Sequence, residues 1–196
     1  MIDKEYIIEV LGRFEGKAIG KAYVPKDKAG NVLGVSGVTV ATGFDIGQQT
    51  AVELGKLGLP EALREKLMPY VGLRKEAAVK KLEEKPLELS AEEVDVLDQA
   101  VHEKYIKETA VMYGPQFEVI PKQAQAVAVS LHYQFGVPRR DASPALGRAW
   151  DMLKTRSWKT AAEYLAAGIG WSADHRQYLG RRRQEAGLLL EIKEYA

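Results

Sequence analysis

The sequence predicts an α+β fold in which a small strand-rich N-terminal lobe packs against a larger all-helical lobe. Three observations predict this arrangement. Apolar residues recur at helical spacing in residues 3–14, glycines and β-branched residues concentrate in residues 16–49, and helical spacing returns after Thr50 and persists. We expect a single domain of 196 residues, with lobes at about 16–49 and 50–196 and a helix at 3–15 joining them. A cleft between the lobes is the first place to look for a site.

The first predicted helix covers residues 3–14. Its apolar side chains share one face: Tyr6, Ile7, Val10, Leu11 and Phe14. Asp3 is the expected N-cap, and Gly16 is expected to end the helix. Glu15 is then left at the C-terminus, where the chain changes direction.

Short strands joined by glycine-rich turns are predicted for residues 16–49. Val35 and the β-branched run 38–40 favour strands, and residues 25–31 (PKDKAGN) are typical of a turn. Glycines occur at positions 16, 20, 30, 34, 37, 43 and 47. Because glycine loses so much backbone entropy on folding, tight turns this dense usually serve a loop or a site.

Capping signals delimit the later helices. Ser90 and Glu93 form a capping box that opens a helix from Ala91 to about Tyr113, closed by Gly114-Pro115. Further helices are predicted from Pro121 to Gly136, from Pro144 onward, over Trp158–Ala167 before Gly168, and from Arg176 to Tyr195.

Composition excludes several functional classes. The 28 basic and 27 acidic residues nearly balance, which argues against a nucleic-acid binder. The absence of cysteine excludes disulfides, thiolate nucleophiles and Cys-rich zinc sites. The histidines at 102, 132 and 175 lack ligand spacing, so no metal or cofactor is expected. No apolar run is long enough to span a bilayer, and the acidic N-terminus does not resemble a signal peptide.

Two carboxylates stand out in the glycine-rich section. Glu15 lies between Phe14 and Gly16, and Asp45 lies in the run 42–47 (TGFDIG). Two carboxyl groups on a rigid, apolar-flanked scaffold are the minimum equipment for glycoside hydrolysis, where one must donate a proton and the other must stay ionised to polarise water.

Thr39 could assist Asp45 only if the chain bends between them. In one straight strand, residues six apart share a face but lie roughly 20 Å from each other. Gly43 offers the bend that could fold the two side chains together; without it, only one of them can be catalytic.

An ordered set of motifs spans nearly the whole chain. It consists of Phe14-Glu15-Gly16, residues 37–47 (GVTVATGFDIG), 123–131 (QAQAVAVSL) with Tyr133 and Gly136, 158–162 (WKTAA) and 181–186 (RRRQEA). In these residues the chain resembles the phage-type lysozymes, and most closely their pesticin-like toxin domains. The resemblance implies a lysozyme-like fold and a peptidoglycan hydrolase that cleaves the bond between N-acetylmuramic acid and N-acetylglucosamine with inversion.

The resemblance also implies roles for individual residues. It makes Glu15 the general acid, and the toxin-type order, with a Thr followed six residues later by an Asp, assigns Thr39 and Asp45 to aiming the water. In ordinary phage lysozymes the Asp precedes the Thr, and the corresponding position here is Leu33. An arginine at 181 or 182 is expected to orient Glu15.

Less specific interpretations remain open for each residue. Glu15 could be a solvated surface side chain, Asp45 a turn-forming residue, and Thr39 an ordinary strand residue. Arginines 181–183 favour a solvated helix face over a basic patch, and Tyr133, Trp150, Trp158 and Trp171 favour core packing over sugar stacking.

The expected partners follow from the resemblance. They are glycan strands and, in a toxin or effector setting, an immunity protein, with no nucleic acid and no membrane insertion, for a monomeric chain. Delivery to the cell wall would need a separate domain, a secretion apparatus or a holin. A lytic transglycosylase and a non-catalytic peptidoglycan-binding module are the alternative functions.

Overall fold

The computed structural model describes residues 1–138, 144–168 and 179–193. As predicted, it is α+β, with a three-stranded antiparallel sheet near the N-terminus and mainly helices elsewhere. The strands are β1 (Ile19–Tyr23), β2 (Thr39–Ala41) and β3 (Phe44–Asp45). The helices are α1 (Lys4–Glu15), α2 (Ala51–Lys56), α3 (Glu61–Leu67), α4 (Lys75–Glu84), α5 (Ala91–Tyr113), α6 (Lys122–Phe135), α7 (Pro144–Lys154), α8 (Trp158–Ala167) and α9 (Leu179–Leu190).

Local capping explains why most helix ends were predictable. The Tyr6 N–H donates to Asp3 Oδ1 at 3.1 Å, which confirms the N-cap of α1. At α5 the Ser90 N–H donates to Glu93 Oε2 at 2.8 Å and the Glu93 N–H donates to Ser90 Oγ at 3.2 Å, so the capping box is confirmed. The left-handed Gly168 ends α8 at the predicted residue.

The last helix ends earlier than predicted. Its expected start at Arg176 lies outside the described residues, and α9 ends at Leu190 rather than at Tyr195. The spacing of the backbone hydrogen bonds shortens there, because the Ile192 N–H donates to the carbonyl oxygen of Leu189, three residues back, at 3.2 Å.

The sheet has the order β1-β2-β3. Ile19 pairs with Ala41 and Tyr23 with Thr39, with an irregular register between these two pairs. The turn predicted at residues 25–31 is present, and the Asp27 carboxylate accepts hydrogen bonds from the N–H groups of Ala29 and Asn31.

The chain forms two compact units. The helical unit consists of Met1–Phe14 and the described residues from Tyr105 onward, and the strand unit covers Glu15–Lys104. The boundary at Tyr105 falls within α5. That the whole chain forms one catalytic domain with a cleft stays a prediction.

Each unit has its own apolar core. In the helical unit the core surrounds α6, whose residues from Ala124 to Leu131 are all buried. Trp150 and Trp158 belong to this core, as predicted, whereas Trp171 lies outside the described residues. The strand unit buries the following side chains completely: Val38, Val40, Ile46, Leu54, Leu67 and Leu97.

The prediction of a solvated face for arginines 181–183 is wrong for two of them. Arg182 is 1% exposed and its Nη2 lies 2.5 Å from Oε1 of Glu185, which is fully buried. Arg181 Nη2 donates to Ser130 Oγ at 2.9 Å, and that hydroxyl donates in turn to Glu185. Only Arg183 is exposed. The packing of α9 against α6 buries the other two and pairs them with Glu185, one helical turn away.

Within the described residues, no helix combines the length and the apolar character needed to cross a bilayer.

Candidate active site

Glu15 is the last residue of α1, at the junction with the strand segment. It is half-buried. Gly16 has φ +78°, a left-handed conformation that favours glycine and ends the helix. Residues 16–18 alone separate Glu15 from β1. The position predicted for Glu15 is therefore confirmed, and its role as proton donor stays a prediction.

Thr39 and Asp45 lie directly opposite each other in the antiparallel hairpin of β2 and β3. Residues paired in this way have Cα atoms about 4.5–5.5 Å apart and side chains on the same face. The chain reverses between them, where Ala41 has φ +58° and Gly43 has φ +96°. The bend predicted at Gly43 is confirmed, and it brings together two residues that a straight strand would hold far apart.

The Asp45 carboxylate is held by the backbone of Gly37. The Gly37 N–H donates to both carboxylate oxygens, at 3.0 Å to Oδ2 and 3.2 Å to Oδ1. Asp45 makes no side-chain capping bond to the 3₁₀ turn Ile46–Gln48 that follows it. The Asp45 side chain therefore does not stabilise a local turn, as the interpretation of Asp45 as a turn-forming residue required. It binds Gly37, which lies two residues before β2.

The Thr39 hydroxyl group contacts the carbonyl group of Gly37. Thr39 is buried, with 3% of its surface exposed, and its hydroxyl donates to the Gly37 carbonyl oxygen at 3.3 Å. A hydroxyl that donates in this direction still has lone pairs with which to accept a hydrogen bond. Gly37 thus fixes both the carboxylate and the hydroxyl of the pair.

Two glycines, Gly37 and Gly47, make room for this arrangement. Both lie against the carbonyl group of Leu73, and we call these three residues the glycine contact. A Cβ on Gly37 would lie 2.5 Å from the Gly47 Cα and 2.5 Å from the Leu73 oxygen. A Cβ on Gly47 would lie 2.1 Å from that oxygen. Both distances are far inside van der Waals contact, so three backbone segments can meet here only if both residues are glycine.

Further bonds fix the residues around the glycine contact. Arg74 Nε donates to the Gly47 carbonyl oxygen at 3.2 Å. Gln49 Nε2 donates to the Asp45 carbonyl oxygen, also at 3.2 Å. The backbone at Asp45 and just after it is therefore held from outside the hairpin.

Asp98 on α5 is a site residue that the sequence analysis missed. Its Oδ1 accepts a hydrogen bond from the Thr42 hydroxyl at 2.7 Å and one from the Thr42 N–H at 3.2 Å. These bonds anchor the tip of the hairpin to the helix. Nothing in the sequence marks Asp98, because acidic residues are common on helix surfaces and its partner is 56 positions away.

Within the described part of the chain, no three His, Asp or Glu side chains cluster closely enough to hold a metal ion. A carboxylate and a hydroxyl on one face can align a water molecule between them, and a separate carboxyl group can donate a proton to a leaving oxygen. Glu15, Thr39 and Asp45 provide these groups, and all three lie in the strand unit.

Comparison with known proteins identifies the family of this chain. Residues 1–159 match the family model described as "Pesticin: Bacterial toxin homologue of phage lysozyme, C-term". The matched residues include Glu15, Thr39 and Asp45, whereas the arginines of α9 lie beyond the match. A search of curated proteins found no match. Because the family model covers most of the 196 residues, the chain belongs to the pesticin C-terminal family of bacterial toxin domains homologous to phage lysozyme.

Proposed function

We propose that this chain is a muramidase that hydrolyses the β-1,4 bond between N-acetylmuramic acid and N-acetylglucosamine in peptidoglycan. One observation carries the proposal: Asp45 and Thr39 face each other across a tight hairpin and are held by the same glycine. The homology of the family to phage lysozyme supports a glycan substrate.

The proposed mechanism assigns one step to each side chain. Asp45 takes a proton from a water molecule that Thr39 helps to orient, and the water oxygen forms a bond to the anomeric carbon of the muramic acid. The glycosidic bond to the leaving sugar breaks, and Glu15 donates a proton to the departing oxygen. Direct attack by water inverts the anomeric configuration, which requires the two carboxyl groups to be about 6.5–9.5 Å apart.

The proposed setting is a toxin or an effector that acts on the cell wall of a target bacterium. The family description as a bacterial toxin supports this setting over phage lysis. Delivery in this setting would come from a separate domain or a secretion apparatus. A producing cell would then need an immunity protein against its own enzyme.

The decisive experiment compares wild type with Glu15→Gln in a turbidity assay on outer-membrane-permeabilised cells. We expect the variant to clear the suspension about 10²–10⁴ times more slowly, because general acid catalysis typically contributes that much. Glu9→Gln is the matched control, since Glu9 is an exposed glutamate on the same helix. Equal clearing by wild type and Glu15→Gln would reject the role of Glu15.

Product analysis separates the alternatives. Digestion in ¹⁸O-labelled water should place the label on the new reducing end of each muropeptide. A lytic transglycosylase would give unlabelled 1,6-anhydro products, and a binding module would give none. A proton NMR time course identifies the first-formed anomer and so tests inversion.

A further inference from the structure

A groove in the strand unit lies outside the proposed catalytic residues. It separates the turn at residues 26–34 from the face of α4 at residues 75–83, and we call it the turn–helix groove. Its main cavity has a volume of about 440 Å³. A second cavity of about 300 Å³ adjoins it and shares Lys26, Val79 and Glu83. Together they form an open trough between the turn and α4.

The walls of the groove are held in place by hydrogen bonds. The turn is closed by the Asp27 N–H, which donates to the Asn31 carbonyl oxygen at 2.8 Å, and by the Leu33 N–H, which donates to Pro25 at 2.9 Å. On the opposite wall, the Lys75 N–H donates to the Ser36 carbonyl oxygen at 2.9 Å. Both walls are therefore braced by hydrogen bonds within the chain.

Lys75 adopts a backbone conformation that is unfavourable for its residue type. Its φ is +53°, in the left-handed region that favours glycine. Such strain persists only where the surrounding structure imposes it, and it is often found where ligands bind. Lys75 lies at the first position of α4 and lines the groove.

The groove carries charges of both signs on an apolar floor. Lys26, Lys75 and Lys80 line it together with Glu76 and Glu83. The floor consists of Val32 and Val79, continued in the adjoining cavity by Val24 and Leu82.

Most charged side chains that line the groove form no ion pair with another described residue. Among the described residues, no ion pair involves Lys26, Lys75, Glu76 or Glu83. Lys80 pairs only with Glu84, at 3.9 Å, across an exposed helix turn. A ligand that complements this pattern has several carboxylates, at least one amino group and small apolar side chains.

The groove is connected to the proposed catalytic pair by a short backbone segment. Gly34 lines the groove, and Gly37, three residues later, donates to the Asp45 carboxylate. Three residues span at most about 11 Å. The second link is the antiparallel bridge between Gly37 and Arg74, the residue before α4.

We propose that the turn–helix groove binds the stem peptide of peptidoglycan while the glycan lies at Glu15, Thr39 and Asp45. This inference rests on the proposed function. The stem peptide is attached to the muramic acid, the sugar whose glycosidic bond the enzyme would cleave, so it emerges close to Asp45. Its γ-linked glutamate and C-terminal alanine provide carboxylates for the lysines, its diamino acid provides an amino group for the glutamates, and its alanine methyl groups fit the valine floor.

A binding experiment tests the groove without depending on catalysis. The probe is the free tetrapeptide of L-alanine, γ-linked D-glutamate, meso-diaminopimelate and D-alanine, titrated into the full chain by calorimetry. We expect the double variant Lys26→Gln/Lys80→Gln to bind about tenfold more weakly than wild type, because two charge-assisted contacts are lost. Lys28→Gln/Lys85→Gln is the matched control, since both lysines are exposed, lie in the turn and directly after α4, and do not line the groove.

Three binding results would overturn the inference. One is no binding at millimolar tetrapeptide, and another is equal weakening by both double variants. The third is equal wild-type affinity for an all-L, α-linked peptide of the same charge.

An activity experiment distinguishes failure of the groove from failure of the proposed function. Wild type should cleave intact peptidoglycan faster than amidase-treated glycan strands that lack peptides; Lys26→Gln/Lys80→Gln should lose that preference, and Lys28→Gln/Lys85→Gln should keep it. Cleavage of both substrates at the same rate by wild type would overturn the groove alone. Cleavage of neither would reject the muramidase, and the tetrapeptide titration would still decide whether the groove binds peptide.

Discussion

At the scale of single residues, the backbone of Gly37 contacts both candidate side chains of the hairpin. Its N–H donates to Asp45 and its carbonyl oxygen accepts from Thr39. Side chains fixed in this way are preorganised, since little rotamer freedom remains to be lost when substrate binds. The sequence singled out Thr39 and Asp45 as candidates and required a bend between them, but it did not predict the role of Gly37, because a backbone donor has no signature in a side-chain pattern.

The first residue-scale prediction concerns Asp45→Asn. The amide oxygen of asparagine can still accept the Gly37 N–H, so the hairpin should fold normally, whereas an amide cannot take a proton from water. We expect peptidoglycan hydrolysis to fall by about 10²–10⁴, measured as release of reducing sugar, with an unchanged melting temperature. Asp95→Asn, an exposed carboxylate on α5, is the control. Full activity in Asp45→Asn would remove Asp45 from the mechanism.

At the scale of elements, helix ends and strand pairing differ in how far sequence determines them. The ends of α5 and α8 were predicted because their caps are local: a box at Ser90 and Glu93, and a glycine at 168. The short helices between Thr50 and α5 were predicted only as one helical region, although Thr50 and Glu53 form a second capping box. The glycine contact was not predicted, because Leu73 lies far along the chain from both glycines.

The glycine contact gives the element-scale prediction. In Gly47→Ala the new methyl group would lie 2.1 Å from the Leu73 oxygen, so the hairpin and the segment before α4 must separate. Overpacking of this kind costs about 1–3 kcal/mol, measurable by urea denaturation. Gly55→Ala is the matched control, because a Cβ at position 55 of α2 meets nothing within 4 Å and alanine favours helix. If Gly47→Ala were as stable as Gly55→Ala, the close backbone approach would be refuted.

At the scale of the whole molecule, the two units differ in how they use buried charge. The strand unit keeps its candidate carboxylates half-buried, at Glu15 and Asp45. The helical unit buries Glu185 completely, and burial raises the pKa of its carboxyl while Arg182, Ser130 and Arg181 act in the opposite direction. An arginine and a glutamate three residues apart also form ion pairs on exposed helix surfaces, so the sequence could not show that the pair of Arg182 and Glu185 is buried.

The buried network gives the whole-molecule prediction. Arg182→Met leaves Glu185 without its nearest cation, and breaking a buried pair typically costs about 3–5 kcal/mol. Adding Glu185→Gln removes the uncompensated charge and should restore part of that loss. Arg183→Met, at the exposed neighbouring position, should change the free energy of unfolding by no more than about 0.5 kcal/mol. Denaturant titration of the four proteins measures these differences, and equal stability of the two arginine variants would contradict a structural role for the network.

The close approach of Gly37 and Gly47 also limits how lineages of this domain can diverge. A side chain at either position meets backbone atoms, so no compensating change of another side chain can make room for it. Replacing one glycine does not relieve the other, because each would still clash with Leu73. Genetic drift can therefore alter the proposed chemistry through Asp45 or Thr39 in one step, whereas losing either glycine requires that the backbone around the hairpin be rebuilt.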